Sequence, residues 1–112
     1  MFKERKFKLT AAEIVPLLGR PMGSGFASDH ITVKGLLVGF MCRDEAGNEV
    51  DSGWCFLSGT ESQVYADDSD NWAIYDLNTI ANYDQAIIPY LDFPVGTELE
   101  RIPGTNQFRR IK

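Results

Sequence analysis

The sequence predicts an α+β domain: an antiparallel sheet of about five or six strands with short helices packed on it. Three observations lead there. A chain of 112 residues, 44% hydrophobic and 24% charged, holds a single domain, 1–112, with a real core and has neither a disordered nor a membrane composition. Short apolar runs are separated by Gly, Asn and Asp turn formers, as in "FMCRDEAGNEVDSGWCFL" from Phe40. The helical stretches are brief and interrupted by Pro16 and Pro89.

Along the chain, Phe2 to Leu9, "FKERKFKL", reads as a basic edge strand or arm. Thr10 and Glu13 then make a capping box that opens a short helix, which Gly19 and Pro21 end. Ala27 to Val33 and Leu36 to Arg43 read as strands about a turn at Lys34-Gly35. Ala46-Gly47-Asn48 turns the chain into a strand from Ser52 to Leu57. That hairpin places Met41 opposite Trp54, Phe40 opposite Cys55 and Gly39 opposite Phe56, and its two apolar faces predict a central pair covered on both sides.

Residues 58–71 read as an acidic loop with room for a helical turn. Trp72 to Leu77 is a short strand and Asn78 to Tyr83 a short helix. Asp84 caps a helix from Gln85 to Leu91, which Pro89 should break or kink. Thr97 to Ile102 and Gln107 to Ile111 form a last hairpin with Glu100 facing Arg109. The segments "EIVPLLGRPMG" and "AIIPYLDFPVG" echo each other, and a shared stop signal explains them better than a repeat.

The net charge of -5 hides a strong asymmetry. Residues 1–43 carry seven Lys/Arg and three Asp/Glu, residues 44–100 carry thirteen Asp/Glu and no Lys or Arg, and residues 101–112 carry four Lys/Arg. An acidic middle segment attracts a basic partner and does not suit nucleic acid, whose phosphates require cations. No signal-peptide h-region follows the basic start before Gly19, so a cytoplasmic protein without a membrane partner is expected. Cys42 and Cys55 fit no zinc spacing and read as buried structural thiols.

Little chemistry is spelled out by the remaining residues. Asp68, Asp70 and Asp76 suggest calcium, but Trp72 and Ala73 stand where an EF-hand needs a ligand and a glycine. His30 is the only histidine. Asp76, Asn78 and Asp84 are explained by capping and turn formation. No cofactor or metal is expected.

Two motifs carry a family resemblance. "DSGWCFLSGTES" from Asp51 and "DNWAIYDLNTIANYDQAIIPYLDFPVGTELER" from Asp70, with "ITVKGLLVGFMCRDE" upstream, resemble a bacterial family, immunity protein family 33, that was first filed as a domain of unknown function. The resemblance covers residues 27–102, leaving residues 1–22 as a basic N-terminal extension outside it. It departs from the pattern at Cys55, where a charged residue is favoured, and at Gln85, where proline is common. It implies a protein that neutralises toxins of bacterial polymorphic toxin systems, with no catalytic residues to carry over.

The expectation is therefore a non-enzymatic immunity protein that binds a basic protein toxin through an acidic surface. Candidate partner-binding residues are Asp51, Trp54, Glu61, Asp67, Asp68, Asp70, Trp72, Asp76 and Tyr83, with Trp54 or Trp72 as anchors. The rival readings are a small-ligand or calcium-binding module using the loop from Glu61 to Asp76, and a small hydrolase. The pattern sets no oligomeric state.

Overall fold

A computed structural model describes residues 4–111. Six strands, β1 (Ser24–Ser28), β2 (Phe40–Arg43), β3 (Asp51–Leu57), β4 (Trp72–Asp76), β5 (Glu98–Arg101) and β6 (Phe108–Arg110), form one sheet in the order β4-β1-β3-β2-β5-β6. All neighbours are antiparallel except β1 and β3. Three short α-helices, α1 (Asp29–Thr32), α2 (Gln63–Asp67) and α3 (Leu77–Tyr83), and 3-10 turns at Ala11–Glu13, Ser69–Asn71 and Gln85–Tyr90 complete the α+β domain.

The core lies on one face of the sheet. Met41, Trp54, Phe56 and Leu99 point from the strands into a cluster with Ile31, Leu77, Ile80, Ile87 and Leu91 from the helical segments. Trp54 is fully buried and its Nε1 donates to the Leu91 carbonyl at 3.0 Å, so the ring fills volume without leaving its polar atom unpaired. The Arg43 guanidinium stacks over the same ring at 5.8 Å and donates to the Phe93 carbonyl at 2.8 Å.

Several expected boundaries move. The strand expected over residues 27–33 is instead β1 followed by α1, because the chain turns helical after Ser28, the N-cap residue. The strand expected from Leu36 shortens to β2, since Asp84 takes the Val38 N–H at 2.9 Å and keeps it from a sheet partner. A Cβ at Gly39 would stand 2.1 Å from the Ser58 carbonyl, so only glycine lets the chain enter β2.

The β2–β3 hairpin is registered two residues from expectation, with Met41 opposite Phe56 and Cys42 opposite Cys55. Gly53, at φ +86°, and the Asn48 carboxamide, which accepts from Val50 and Asp51 N–H at 3.0 Å, lengthen the turn. A shift of two keeps every side chain on its face, so the inward set is unchanged. The pair is not covered on both sides, however, and its outer face carries only the overhang of α2 and the following turn at one end.

The remaining elements follow the sequence closely. Asp76 caps α3 by accepting from Asn78 N–H at 2.8 Å, and Asp84 caps the 3-10 turn by accepting from Ala86 N–H at 3.1 Å. Pro89 sits within that turn. Glu100 faces Arg109 across β5 and β6, and Arg109 Nε donates to it at 2.7 Å. Thr10 and Glu13 cap only a 3-10 turn. Residues 4–9 form no strand, and Phe2 and Lys3 of the expected arm lie outside the described residues. The echoing segments differ, since 14–22 hold no helix while Gln85–Tyr90 is a 3-10 turn.

Candidate functional site

Alternation along the strands decides what the outer face of the sheet presents. In β3, Ser52, Trp54 and Phe56 are buried, so Gly53, Cys55 and Leu57 point the other way. The same alternation turns Phe26 of β1, Trp72, Ile74 and Asp76 of β4, Phe40 and Cys42 of β2, and Glu98 and Glu100 of β5 outward.

Register sets these residues in rows. Ile74 lies beside Phe26, Phe26 beside Cys55, Cys55 beside Cys42 and Cys42 beside Glu98. A second row runs Leu57, Phe40, Glu100, Arg109. Ile74 is 62% and Phe26 42% exposed although each sits within a strand. The face thus grades from apolar on β4 and β1 to acidic on β5.

At one end α2 and the turn Ser69–Asn71 overhang the sheet. They leave a hollow of about 350 Å³ lined by Phe26, Cys55, Ala66, Asp67, Ser69 and Trp72. Trp72 holds the overhang by donating from Nε1 to the Ala66 carbonyl at 2.9 Å. Asp67 stands at this hollow and Asp76 at the far end of β4, opposite Ser24.

The nine expected partner-binding residues separate into two groups. Asp67, Trp72 and Asp76 border the open face, and exposed Asp68 and Asp70 sit in the turn beside it. Asp68 also caps that turn, accepting from Asp70 N–H at 3.0 Å. The other four have structural positions. Trp54 is in the core, so it offers a partner no surface and the expectation of an anchor there is corrected.

Glu61 has 1% of its side chain exposed, and it accepts from Ser28 Oγ at 2.5 Å, from Ser58 N–H at 2.8 Å and from Gly59 N–H at 2.9 Å. Burial pushes its carboxyl up, but these donors outweigh burial and hold it below the ordinary value. His30, whose Nδ1 lies 2.9 Å from Thr60 Oγ1 and whose ring packs on Tyr65, closes the same cluster. Glu61 is thus the clasp of the 58–62 loop rather than a contact residue. Asp51 accepts from Gly47 and Gly53 N–H, each at 2.8 Å, and those bonds lower its carboxyl too. Tyr83 is half-buried away from the open face, its hydroxyl accepting from Leu9 N–H at 3.3 Å.

Asn78 does different work from the expected capping, and Asn82 shares it. Asn78 Oδ1 accepts from Leu17 N–H at 2.8 Å and Leu18 N–H at 3.2 Å, while its Nδ2 donates to the Val15 carbonyl at 2.9 Å. Asn82 grips Val15 from both sides, accepting from its N–H at 3.1 Å and donating to its carbonyl at 2.9 Å. These carboxamides bind the backbone of the N-terminal segment along α3. Arg5 extends that attachment, donating to Asp29 at 2.8 Å and to the Asp70 carbonyl at 2.7 Å.

Among the described residues no group of three or more His, Cys, Asp or Glu is placed to hold a metal ion. No helix among them is long and apolar enough to cross a membrane.

A family model described as the Immunity protein Imm33 domain matches residues 25–112. The chain belongs to the Imm33 family of immunity proteins. Such a family makes a protein toxin the general class of partner. No curated protein and no solved structure matches the chain. In this Imm33 domain both motifs that carried the resemblance build the scaffold. In Asp-Ser-Gly-Trp, Asp51 ties the turn, Gly53 supplies a positive φ and Trp54 fills the core. In Tyr-Asp-Leu-Asn-Thr-Ile, Asp76 caps α3, Leu77 and Ile80 are core, and Asn78 holds the segment before the matched region.

The sequence reading missed Phe26, Ile74 and Glu98. Ile74 was legible, because Trp72, Ile74 and Asp76 alternate with Ala73 and Tyr75. Phe26 was not, since its strand begins earlier than the β-branched run suggests. Glu98 gains meaning only from its cross-sheet neighbour Cys42.

Proposed function

We propose that this Imm33 chain is a non-enzymatic immunity protein that neutralises a basic toxin by covering it with the open face of the sheet. The observation that carries the reading is the row Ile74, Phe26, Cys55, Cys42, Glu98, an apolar strip open but for the overhang at one end, which finishes in the Glu98 carboxylate. An apolar centre supplies the lifetime of a complex, and an acidic border speeds its encounter with a cationic surface. Asp67 and Asp76 at the rim, with Glu98 at the end of the row, favour a toxin whose exposed groove is basic. Covering that groove blocks the toxin's substrate without any chemistry on the immunity protein.

The test uses the chain as bait in lysate of the native bacterium at low and high salt. A captured basic protein must be toxic when expressed without this chain, and must be lost when the bait carries Ile74→Lys. That substitution is expected to weaken binding by about 2 kcal/mol or more, roughly thirtyfold, if Ile74 is an anchor. Unchanged capture of a toxin by Ile74→Lys and Phe26→Lys baits places the interface elsewhere.

A further inference from the structure

We infer that Cys42 and Cys55 form a redox site: a dithiol on the open sheet face that a hydroperoxide oxidises to a cross-strand disulfide. The two residues are direct register partners on the antiparallel pair β2–β3. Opposed residues in such a pair have Cα atoms about 4.5–5.5 Å apart, and disulfides form at about 4.4–6.8 Å, so closure requires only side-chain rotation. Both thiols are free and half-buried, where the sequence led us to expect buried ones. The face above them is open, and Cys55 also lines the hollow beside Trp72.

The two sulfurs are not equivalent. Its neighbour Cys55 holds the Cys42 thiol below its ordinary value, against burial and the nearby Asp44 and Glu98 carboxylates, while Cys42 and burial push Cys55 up. Cys55 lines the hollow beneath the overhang and Cys42 stands clear of it, which makes Cys42 the attacking sulfur and Cys55 the resolving one.

The chemistry balances with the hydroperoxide as oxidant. The Cys42 thiolate attacks the O–O bond, forming S–O and releasing alkoxide, or hydroxide from hydrogen peroxide. Cys55 then attacks the Cys42 sulfur, forming S–S, and the sulfenic oxygen leaves as water with the Cys55 proton. Two electrons pass from the sulfurs to the peroxide, and a thiol reductant reverses the bond. The dithiol lies mid-face in the surface assigned above to the toxin, but the proposal does not rest on that assignment.

The experiment treats the reduced, desalted chain with hydrogen peroxide, alkylates it with N-ethylmaleimide and reads intact mass and a non-reducing gel. The expected product is a monomer lighter by two hydrogens that takes no maleimide until it is reduced. Cys55→Ser should leave a sulfenic acid on Cys42 that dimedone traps. Cys42→Ser should slow oxidation of the remaining thiol by about tenfold or more, because Cys55 lies in the hollow beneath the overhang, where burial disfavours its thiolate. Two maleimides added after peroxide, a sulfinic acid in the unsubstituted chain, or a disulfide-linked dimer would each overturn the proposal.

Discussion

At the scale of single residues, this domain uses many of its carboxylates inside itself. Asp84, 6% exposed, accepts from Val38 N–H at 2.9 Å and pairs with Arg101, which in turn donates to the Val38 carbonyl at 2.8 Å. Replacing Asp84 with Ala leaves Arg101 Nη2 and the Val38 N–H without their acceptor and the buried guanidinium without its counter-charge, and should cost about 3–5 kcal/mol in urea denaturation. Glu61 gives a pH signature. Its folded value lies below the ordinary 4.5, so its stabilisation is complete above 4.5 and is lost as pH falls through the folded value. Unfolding curves of Glu61→Gln should therefore depend less on pH below about 4.5 than those of the unsubstituted chain. Gly53→Ala would put a Cβ 1.9 Å from the Asp44 carbonyl at φ +86°, and should leave little folded protein by circular dichroism.

At the scale of elements, α3 joins the two parts of the chain. Its first turn is capped by Asp76, its inward side supplies Leu77, Ile80 and Ala81 to the core, and Asn78 and Asn82 hold residues 15–18. Asn78→Ala removes the acceptor of two backbone N–H groups and the donor to one carbonyl, at half-exposed positions. It should cost about 1–2 kcal/mol and speed hydrogen exchange at Leu17 and Leu18 while leaving that of β3 unchanged at matched stability. The β2–β3 hairpin shows a different dependence. Its register follows from Gly53 and the Asn48 turn rather than from which aromatic rings match best.

At the scale of the whole molecule, a six-stranded sheet has its core helical segments on one side and only the overhang of α2 and the following turn on the other. The acidic segment that looked like one surface in sequence is divided by the fold. Glu61 and Asp84 are nearly buried, Asp51 and Asp68 tie turns, and Asp92 pairs with Arg20 at 2.6 Å. Charge reversal at Asp67, Asp68 and Asp70 together, the substitution the sequence suggests, would also remove the Asp68 cap. The cleaner variant is Asp67→Lys with Asp70→Lys, which should change stability by less than about 0.5 kcal/mol. It should slow toxin association about tenfold at low salt in stopped-flow measurements, with the difference shrinking as salt rises.

The sequence by itself determined the α+β class, that Met41, Trp54 and Phe56 share one face of their hairpin, the caps at Asp76 and Asp84, the Glu100–Arg109 pairing and the family. Those features rest on local chemistry: period-two alternation, side-chain acceptors at helix starts, and turn residues. Only the tertiary structure decided that the sheet has an uncovered face, that Trp54 and Glu61 are inside, and that Cys42 meets Cys55. A side chain's face is set by alternation, but whether that face is covered depends on where distant helices pack. An aromatic or a carboxylate carries no local mark that separates core from surface.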